Sequence, residues 1–252
     1  MNIDVLFEVF RGLPQQGPGN EQCTLQALER IGELPASPRI LDVGCGTGRQ
    51  TLVLAHLCDG AVVAVDVDPH SLDELERSAA SAGLSHHIAT QRTPMSKLEF
   101  PNRHFDLIWS EGAIYLMGFE QGITAWKRFL AEGGHIAVTE LSWLTDDRPA
   151  VASDFWQSNY PAMKSRAENL RAVERAGYEA IQSFVLPEEA WQGYYGPLED
   201  RVALLRKKYG RGKSDDNPGA LSTLDSIQDE IDVFRASQGS YSYVFYIARR
   251  PS

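Results

Sequence analysis

Between Ile40 and Thr51 the chain reads ILDVGCGTGRQT, with glycines at 44, 46 and 48 between an apolar run and an amphipathic one. Glycine lets a backbone turn sharply and leaves no Cβ in the way of a bulky ligand. The free N–H groups at the start of the following helix favour a carboxylate or a phosphate. The chemistry this points to is the holding of a nucleotide-like ligand. A dinucleotide fingerprint needs a glycine at position 49 to complete G-x-G-x-x-G, but that position is Arg49. A nicotinamide-dependent oxidoreductase is therefore disfavoured, although it stands as one alternative. In place of that glycine, an acid, Asp42, stands two residues before the first glycine of a G-x-G-x-G run.

The elements that position this loop follow from periodicity. Arg39 to Val43 reads as a buried strand, Gln50 to Leu57 as a helix and Ala61 to Asp66 as a second strand. A helix over Pro69 to Ala82 opens on Pro near its first turn and stops at Gly83. Strands follow at His86 to Gln91 and Phe105 to Ser110. Ile123, Trp126, Phe129 and Leu130 share a helical stripe, which Gly133 and Gly134 end before a strand over His135 to Leu141. A helix closing at Ala176-Gly177, a strand over Ala180 to Leu186 and a last strand over Tyr241 to Ala248 complete the pattern. Strands alternating with helices predict an α/β fold with a mostly parallel sheet and helices on both faces. Pro187 to Gly239 is too long for a hairpin loop. It carries two stripes of its own, Leu198–Val202–Leu205 and Leu224–Ile227–Ile231–Phe234, so it reads as a helical insertion before the last strand.

Three further features accompany the loop. Asp66 ends the second strand in AVDVDP, the segment TPMSKLEFPNRHFD (Thr93 to Asp106) contains L-x-F-x-x-x-x-F-D, and the fourth strand runs into WSEGAIYLMGF. Together with the loop they resemble the Rossmann-like, class I S-adenosylmethionine-dependent methyltransferases, over roughly residues 19 to 142. AGYxxxxxFxLPExxW, from Ala176 to Trp191, resembles a bacterial branch of small-molecule enzymes within the type-11 group. The resemblance implies one methyltransferase domain over residues 1–252 with a seven-stranded sheet. Residues 1–38 would form an N-terminal helical cap, 39–186 the Rossmann-like core, 187–239 the insertion and 240–252 the last strand. It also implies S-adenosylmethionine as cofactor, held by Asp42, Gly44, Cys45, Gly46, Gly48 and Thr51 of the loop region, by Asp66 and Val67, by Met95 and Ser96, and by Ser110 and Glu111. Asp66 would accept both ribose hydroxyls and Val67 would pack on the adenine, while Asp68, directly before Pro69, is the better helix cap. The family often places an acid in the adenine loop. Here the loop is Thr93-Pro94-Met95-Ser96, which leaves adenine to backbone groups near Met95 or to the Ser96 hydroxyl.

Methyl transfer from a sulfonium needs alignment and a dry site more than it needs a base. Glu111 is a candidate for the methionine part of the cofactor or for steering the acceptor. Tyr115 would bound the methyl path or pack under the next helix, and Glu140, with Ser142 and Trp143, ends the fifth strand at the ligand edge. Trp143, Phe155, Trp156, Tyr160, Trp191, Tyr194 and Tyr195 could line a pocket suited to an amine or a planar acceptor. Trp126 belongs to a core stripe, and Cys45 packs within the loop.

A formal net charge of −10 argues against a nucleic-acid surface. The basic run from Arg206 to Lys213 is offset by Glu199, Asp200, Asp215 and Asp216. Cys23, Cys45 and Cys58 have neither metal-ligand spacing nor an even number for disulfides, so a reducing cytoplasm and no metal are expected. The first residues, MNIDVLFEVFRG, lack the basic and apolar segments of a signal peptide, and no run approaches a membrane span. The expected partner is a small methyl acceptor, and the sequence is compatible with a homodimer. A non-catalytic S-adenosylmethionine-binding protein is the other alternative.

Overall fold

The computed structural model describes residues 2–210 and 219–252. Two helices lead, α1 (Ile3–Phe10) and α2 (Glu21–Ile31). The core alternates β1 (Arg39–Val43), α3 (Arg49–Cys58), β2 (Ala61–Asp66), α4 (Pro69–Ser81), β3 (Ile88–Arg92), β4 (Phe105–Ser110), α5 (Phe119–Trp126) and β5 (Leu130–Trp143). There follow α6 (Ala150–Asn159), the two-residue β6 (Lys164–Ser165), α7 (Arg166–Arg175), β7 (Glu179–Val185), α8 (Glu188–Tyr209), α9 (Ala220–Ala236) and β8 (Tyr241–Arg249).

Seven strands lie in the order β3-β2-β1-β4-β5-β8-β7, and β6 pairs only with β5. The strands from β3 to β5 are parallel, while β8 runs antiparallel between β5 and β7. The Rossmann-like, mostly parallel α/β reading therefore holds, with β6 as an eighth, short strand that the sequence did not reveal. Helix boundaries have local causes. Asp68 accepts N–H bonds from His70 and Ser71 ahead of Pro69, and Ser165 forms a capping box with Glu168.

One boundary is corrected. The stripe through Phe129 and Leu130 does not continue as α-helix: a 3-10 turn covers Lys127–Phe129, and β5 begins at Leu130. Gly133 and Gly134 lie inside that strand, where the register against β4 shifts between Phe105 and Leu107. A Cβ on Gly134 would lie 3.0 Å from the Ala131 carbonyl oxygen, so the irregularity needs glycine.

The predicted stripes of the insertion are buried against α1 and against the ends of β5 and β8, through Leu141, Trp143 and Tyr241. Leu198, Val202, Leu205, Leu224 and Ile231 share one core with Val5 and Val9 of α1. The N-terminal segment and the insertion thus cover each other on one face of the sheet. Lys213, Asp215 and Asp216 of the basic run's surroundings lie outside the described residues, while Arg206 pairs with Asp225 at 2.6 Å and Lys208 with Glu8 at 2.6 Å.

Candidate functional site

Strand order reverses between β1 and β4, and ligands of open α/β sheets bind at the carboxyl ends of the strands at such a point. A cavity of about 350 Å³ opens there. Its floor is the loop from Gly44 to Gln50, and its other walls come from Val65–Val67, Thr93–Ser96, Glu111–Ala113 with Leu116–Met117, and Gln15–Pro18.

The loop's shape depends on left-handed backbone at two glycines in particular. Gly44, with φ +71°, donates its N–H to Val65 O at 2.8 Å, and a Cβ there would sit 2.4 Å from Ala113 Cβ. Gly46, with φ +54°, donates to Asp66 Oδ2 at 2.9 Å. Asp66 also accepts the Val67 and Asp68 N–H groups on Oδ1, at 2.7 and 2.9 Å. Its carboxylate therefore ties the β2 end to the loop while facing the cavity. Val67 is 54% exposed beside it. Cys45 packs with Ala64, Leu72 and Leu75, and burial pushes its thiol well above the ordinary range, which suits packing and not nucleophilic chemistry.

Three of the expected contact residues lie behind the loop. Asp42, Thr51 and Ser110 are fully buried and do not line the cavity. Asp42 Oδ2 accepts the Thr51 hydroxyl at 2.6 Å and the Gln50 amide at 3.2 Å, and Ser110 donates to Val43 O at 2.8 Å. These residues brace the strand ends that carry the loop. Burial, opposed by the Thr51 hydroxyl, pushes the Asp42 carboxyl up to about 7.

Glu111 lines the cavity, but its oxygens are already engaged. Oε1 accepts from Thr24 Oγ1 and from the Trp109 indole, both at 2.9 Å, and Oε2 meets Arg49 Nη2 at 3.0 Å. It fastens α2, α3 and β4 together from a place on the cavity wall, where the expected roles, contact with the methionine part of the cofactor or steering of the acceptor, would be shared with this anchoring. Arg49 entered the sequence argument only as a missing glycine. It lines the cavity, and its Nη1 is buried with no hydrogen-bond partner among the described residues. Gln15, also on the wall, leaves its amide nitrogen in the same state. Both are donors. The residue type of Arg49, one position past the loop, was the available signal; nothing in the sequence marked Gln15 or Gln16.

At the other end, Met95 and Ser96 lie in a 3-10 turn on the wall, and the buried Trp126 indole donates to Met95 O at 3.3 Å. Tyr115 and Glu140 do not line the cavity. Tyr115 is 39% exposed and touches Tyr160 edge-on, and Glu140 accepts the Tyr160 hydroxyl at 2.6 Å. The proposed aromatic pocket is mostly core: Trp143, Trp156, Trp191, Tyr194 and Tyr195 are buried in the cluster shared by α1, α8 and α9. No described residue of the insertion lines the cavity; the insertion supports the N-terminal segment, through Gly19 N donating to Ala190 O at 3.2 Å. Among the described residues no His, Cys, Asp and Glu cluster could hold a metal, and no helix is long and apolar enough to cross a membrane.

Residues 40–134 match the family model described as a methyltransferase domain. Methyltransferase GfsG of Streptomyces halstedii is 27% identical over 64% of this chain, and the match spans 60% of GfsG. A SAM-dependent methyltransferase from Geobacter sulfurreducens, solved with S-adenosyl-L-homocysteine, superposes with a TM-score of 0.80 at 16% identity, covering 99% of this chain and 98% of that one. The [4+2]-cyclase SpnF superposes at 0.75 and 21% identity, covering 99% of this chain and 93% of that one.

Proposed function

We propose, from the premise that this chain is a class I S-adenosylmethionine-dependent methyltransferase, that it moves the sulfonium methyl of S-adenosylmethionine to a small-molecule acceptor. The observation that carries this reading is the pairing of charges on the cavity wall. Asp66 offers a carboxylate to hydroxyl donors, and Arg49 offers an unpartnered guanidinium N–H. That set is complementary to the ribose and the carboxylate of the cofactor. Val67 and Met95 supply apolar surface for the adenine, with the Ser96 hydroxyl beside it. Gly44, Cys45, Gly46 and Gly48 shape the bed, while Asp42, Thr51 and Ser110 act at one remove by bracing it. What the cofactor supplies is an activated methyl group. The chain's part is to hold it, align it and exclude water, and the segment Gln15–Pro18 closes the cavity above Gly46.

The reading takes the chain as one domain and places it in the cytoplasm, without a nucleic-acid or membrane partner. The net charge of −10 and the three free cysteines support that placement. A homodimer fits equally well and is tested by sedimentation.

SpnF shares the fold and is described as a cyclase, so fold alone does not fix the activity. The test is titration of S-adenosylmethionine and S-adenosylhomocysteine into the chain, followed by transfer of a labelled methyl group into a metabolite extract. Micromolar binding with label transfer is the expected result. Binding without transfer would favour a non-catalytic role, and absence of binding would overturn the reading.

A further inference from the structure

Leu116 and Met117 line the cofactor cavity, and Tyr115 precedes them. Tyr115 stands against a group of phenols and carboxylates that other elements bring to the same edge of the sheet. Its ring meets Tyr160, at the end of α6, with centroids 5.9 Å apart. Tyr160 donates to Glu140 Oε1 of β5 at 2.6 Å. From α8 and α9, Tyr195 donates to Glu230 Oε1 at 2.9 Å, and Tyr194 packs beside Tyr195 at 5.2 Å. Burial, then the charges of Glu230 and Glu140, raise the Tyr115 phenol above its ordinary value, which places both acids within electrostatic reach of that ring.

The two carboxylates are poorly served. Glu140 is 1% exposed, and its Oε2 is buried with no hydrogen-bond partner among the described residues. Among the described residues Glu230 accepts only the Tyr195 hydroxyl, and burial raises it. Neither acid forms an ion pair with a Lys, Arg or His among the described residues. A buried carboxylate left without a cation is strongly destabilising unless it is neutralised, and burial accordingly pushes Glu140 up to about 8 despite the Tyr160 hydroxyl. The cofactor cavity differs in sign. There the unpartnered buried atoms, on Arg49 and Gln15, are donors and suit an anionic group. Here the unpartnered carboxylate oxygen of Glu140 is an acceptor beside the Tyr160 and Tyr115 rings. The Trp156 indole and the Tyr241 hydroxyl, also unpartnered among the described residues, lie against each other's rings in the same cluster, and Tyr115 keeps one side open to solvent.

We propose that Tyr115, Tyr160, Glu140 and Glu230 form the acceptor site and that they recognise an organic ammonium, so that the methyl acceptor is an amine. The inference rests on the methyltransferase reading above. Ring faces attract an alkylammonium through their quadrupoles, and the two carboxylates supply the counter-charge. A neutral alcohol or phenol gives Glu140 nothing to ionise against, whereas an ammonium offsets the burial that otherwise keeps the carboxyl protonated. Glu140 Oε2 is also the atom that can take a proton from the bound ammonium, leaving on nitrogen the lone pair that methylation requires.

Tetramethylammonium is the probe, because it carries the charge and cannot itself be methylated; tert-butanol, of similar shape and neutral, is its control. Both are titrated calorimetrically into the full chain, with and without S-adenosylhomocysteine. Tetramethylammonium should bind saturably and tert-butanol should not. Glu140→Gln should weaken cation binding by about tenfold and Glu230→Gln by about threefold, while each variant keeps the wild-type affinity for S-adenosylhomocysteine. Equal binding of the two probes, or cation binding unchanged in Glu140→Gln, overturns the proposal. Should Glu140→Gln fail to fold, Glu230→Gln alone decides it. The two readings fail separately: cation binding without S-adenosylhomocysteine binding removes the methyltransferase reading, and the converse removes the amine site.

Discussion

The floor of the cofactor cavity is a glycine-rich turn, whereas the group around Glu140 is entirely side chain. In the first region, Gly44 and Gly46 hold left-handed conformations and Asp66 accepts three backbone N–H groups, so the ligand bed is made of turns. In the second, Tyr115 meets Tyr160 edge-on, Tyr160 donates its hydroxyl to Glu140, and Glu230 accepts the Tyr195 hydroxyl from the neighbouring helix. A bed of turns can take only a ligand that fits the backbone, and that ligand is shared across a fold. A group of side chains can be exchanged residue by residue with the sheet left intact, which is where acceptor specificity can reside. The comparison predicts that changes in the first region act through geometry and changes in the second through charge.

The largest expected effect is at Gly46. Valine there would place Cβ 2.7 Å from Gln16 Oε1, the movable end of a side chain, at φ +54°. The left-handed strain costs about 1–2 kcal/mol, a fall in Tm of roughly 2–8 °C for a chain of this size. S-adenosylhomocysteine affinity should fall more than about a hundredfold, since two methyl groups would occupy the bed. Calorimetry on a variant with native circular dichroism checks this, with tetramethylammonium binding retained. Gly48→Val makes the contrast: its Cβ would lie 2.2 Å from Leu75 Cδ1, so it should lose fold and ligand together.

The same division explains what could be read from the chain. The loop, Asp66 and the Asp68 cap are local patterns whose spacing alone fixes their geometry, and the structure shows each where the pattern puts it. Asp42, Thr51 and Ser110 were legible as neighbours of the loop, but not as lying behind it, because a strand's pleat and a helix's first turn decide which way each side chain faces. Arg49 was visible only as a residue that was not glycine; its partner Glu111 is 62 positions away. The aromatic residues of the insertion looked like a pocket because composition does not separate ring from core. Trp191 stacks on Phe234 at 4.3 Å and is consumed by packing, while Tyr160 is directed by a hydroxyl bond to Glu140 that no periodicity encodes.

A smaller effect is expected at Asp66. Its carboxylate has a structural share, through Gly46, Val67 and Asp68, and faces the cavity with its remaining capacity. Hydrogen bonds to a charged group contribute about 1.5–3 kcal/mol each, so Asp66→Ala should weaken S-adenosylhomocysteine about ten- to a hundredfold in a calorimetric titration. Asp68→Ala should instead cost about 0.5–2 kcal/mol of stability with affinity unchanged, because Asp68 serves the first turn of α4. Reversal of the two outcomes would move the ribose contact to the other aspartate.

The smallest effect on the ligand is expected at Asp42, and it is a test in pH. Burial, opposed by the Thr51 and Gln50 donors and reinforced by the charges of Glu111 and Asp66, raises its carboxyl to about 7 in the folded chain; unfolded, it titrates near about 3.9. Between those two values the native state holds a proton that the unfolded state has lost. Linkage then makes stability fall as pH rises from about 4 to about 7, with no contribution to the slope outside that window. Glu140, raised to about 8, acts in the same direction and extends the decline to higher pH. Asp42→Asn cannot ionise, so its Tm measured from pH 4 to 7 should decline less steeply than that of the wild type, and Asp42→Asn with Glu140→Gln should be flatter still up to pH 8. S-adenosylhomocysteine affinity should change less than about fivefold in Asp42→Asn, because the side chain lies behind the loop and off the cavity wall. An unchanged pH slope would show that Asp42 is ionised in the fold. A hundredfold loss of affinity would return it to the cofactor's own contacts, and the loop would then owe its function to a buried charge as well as to its turns.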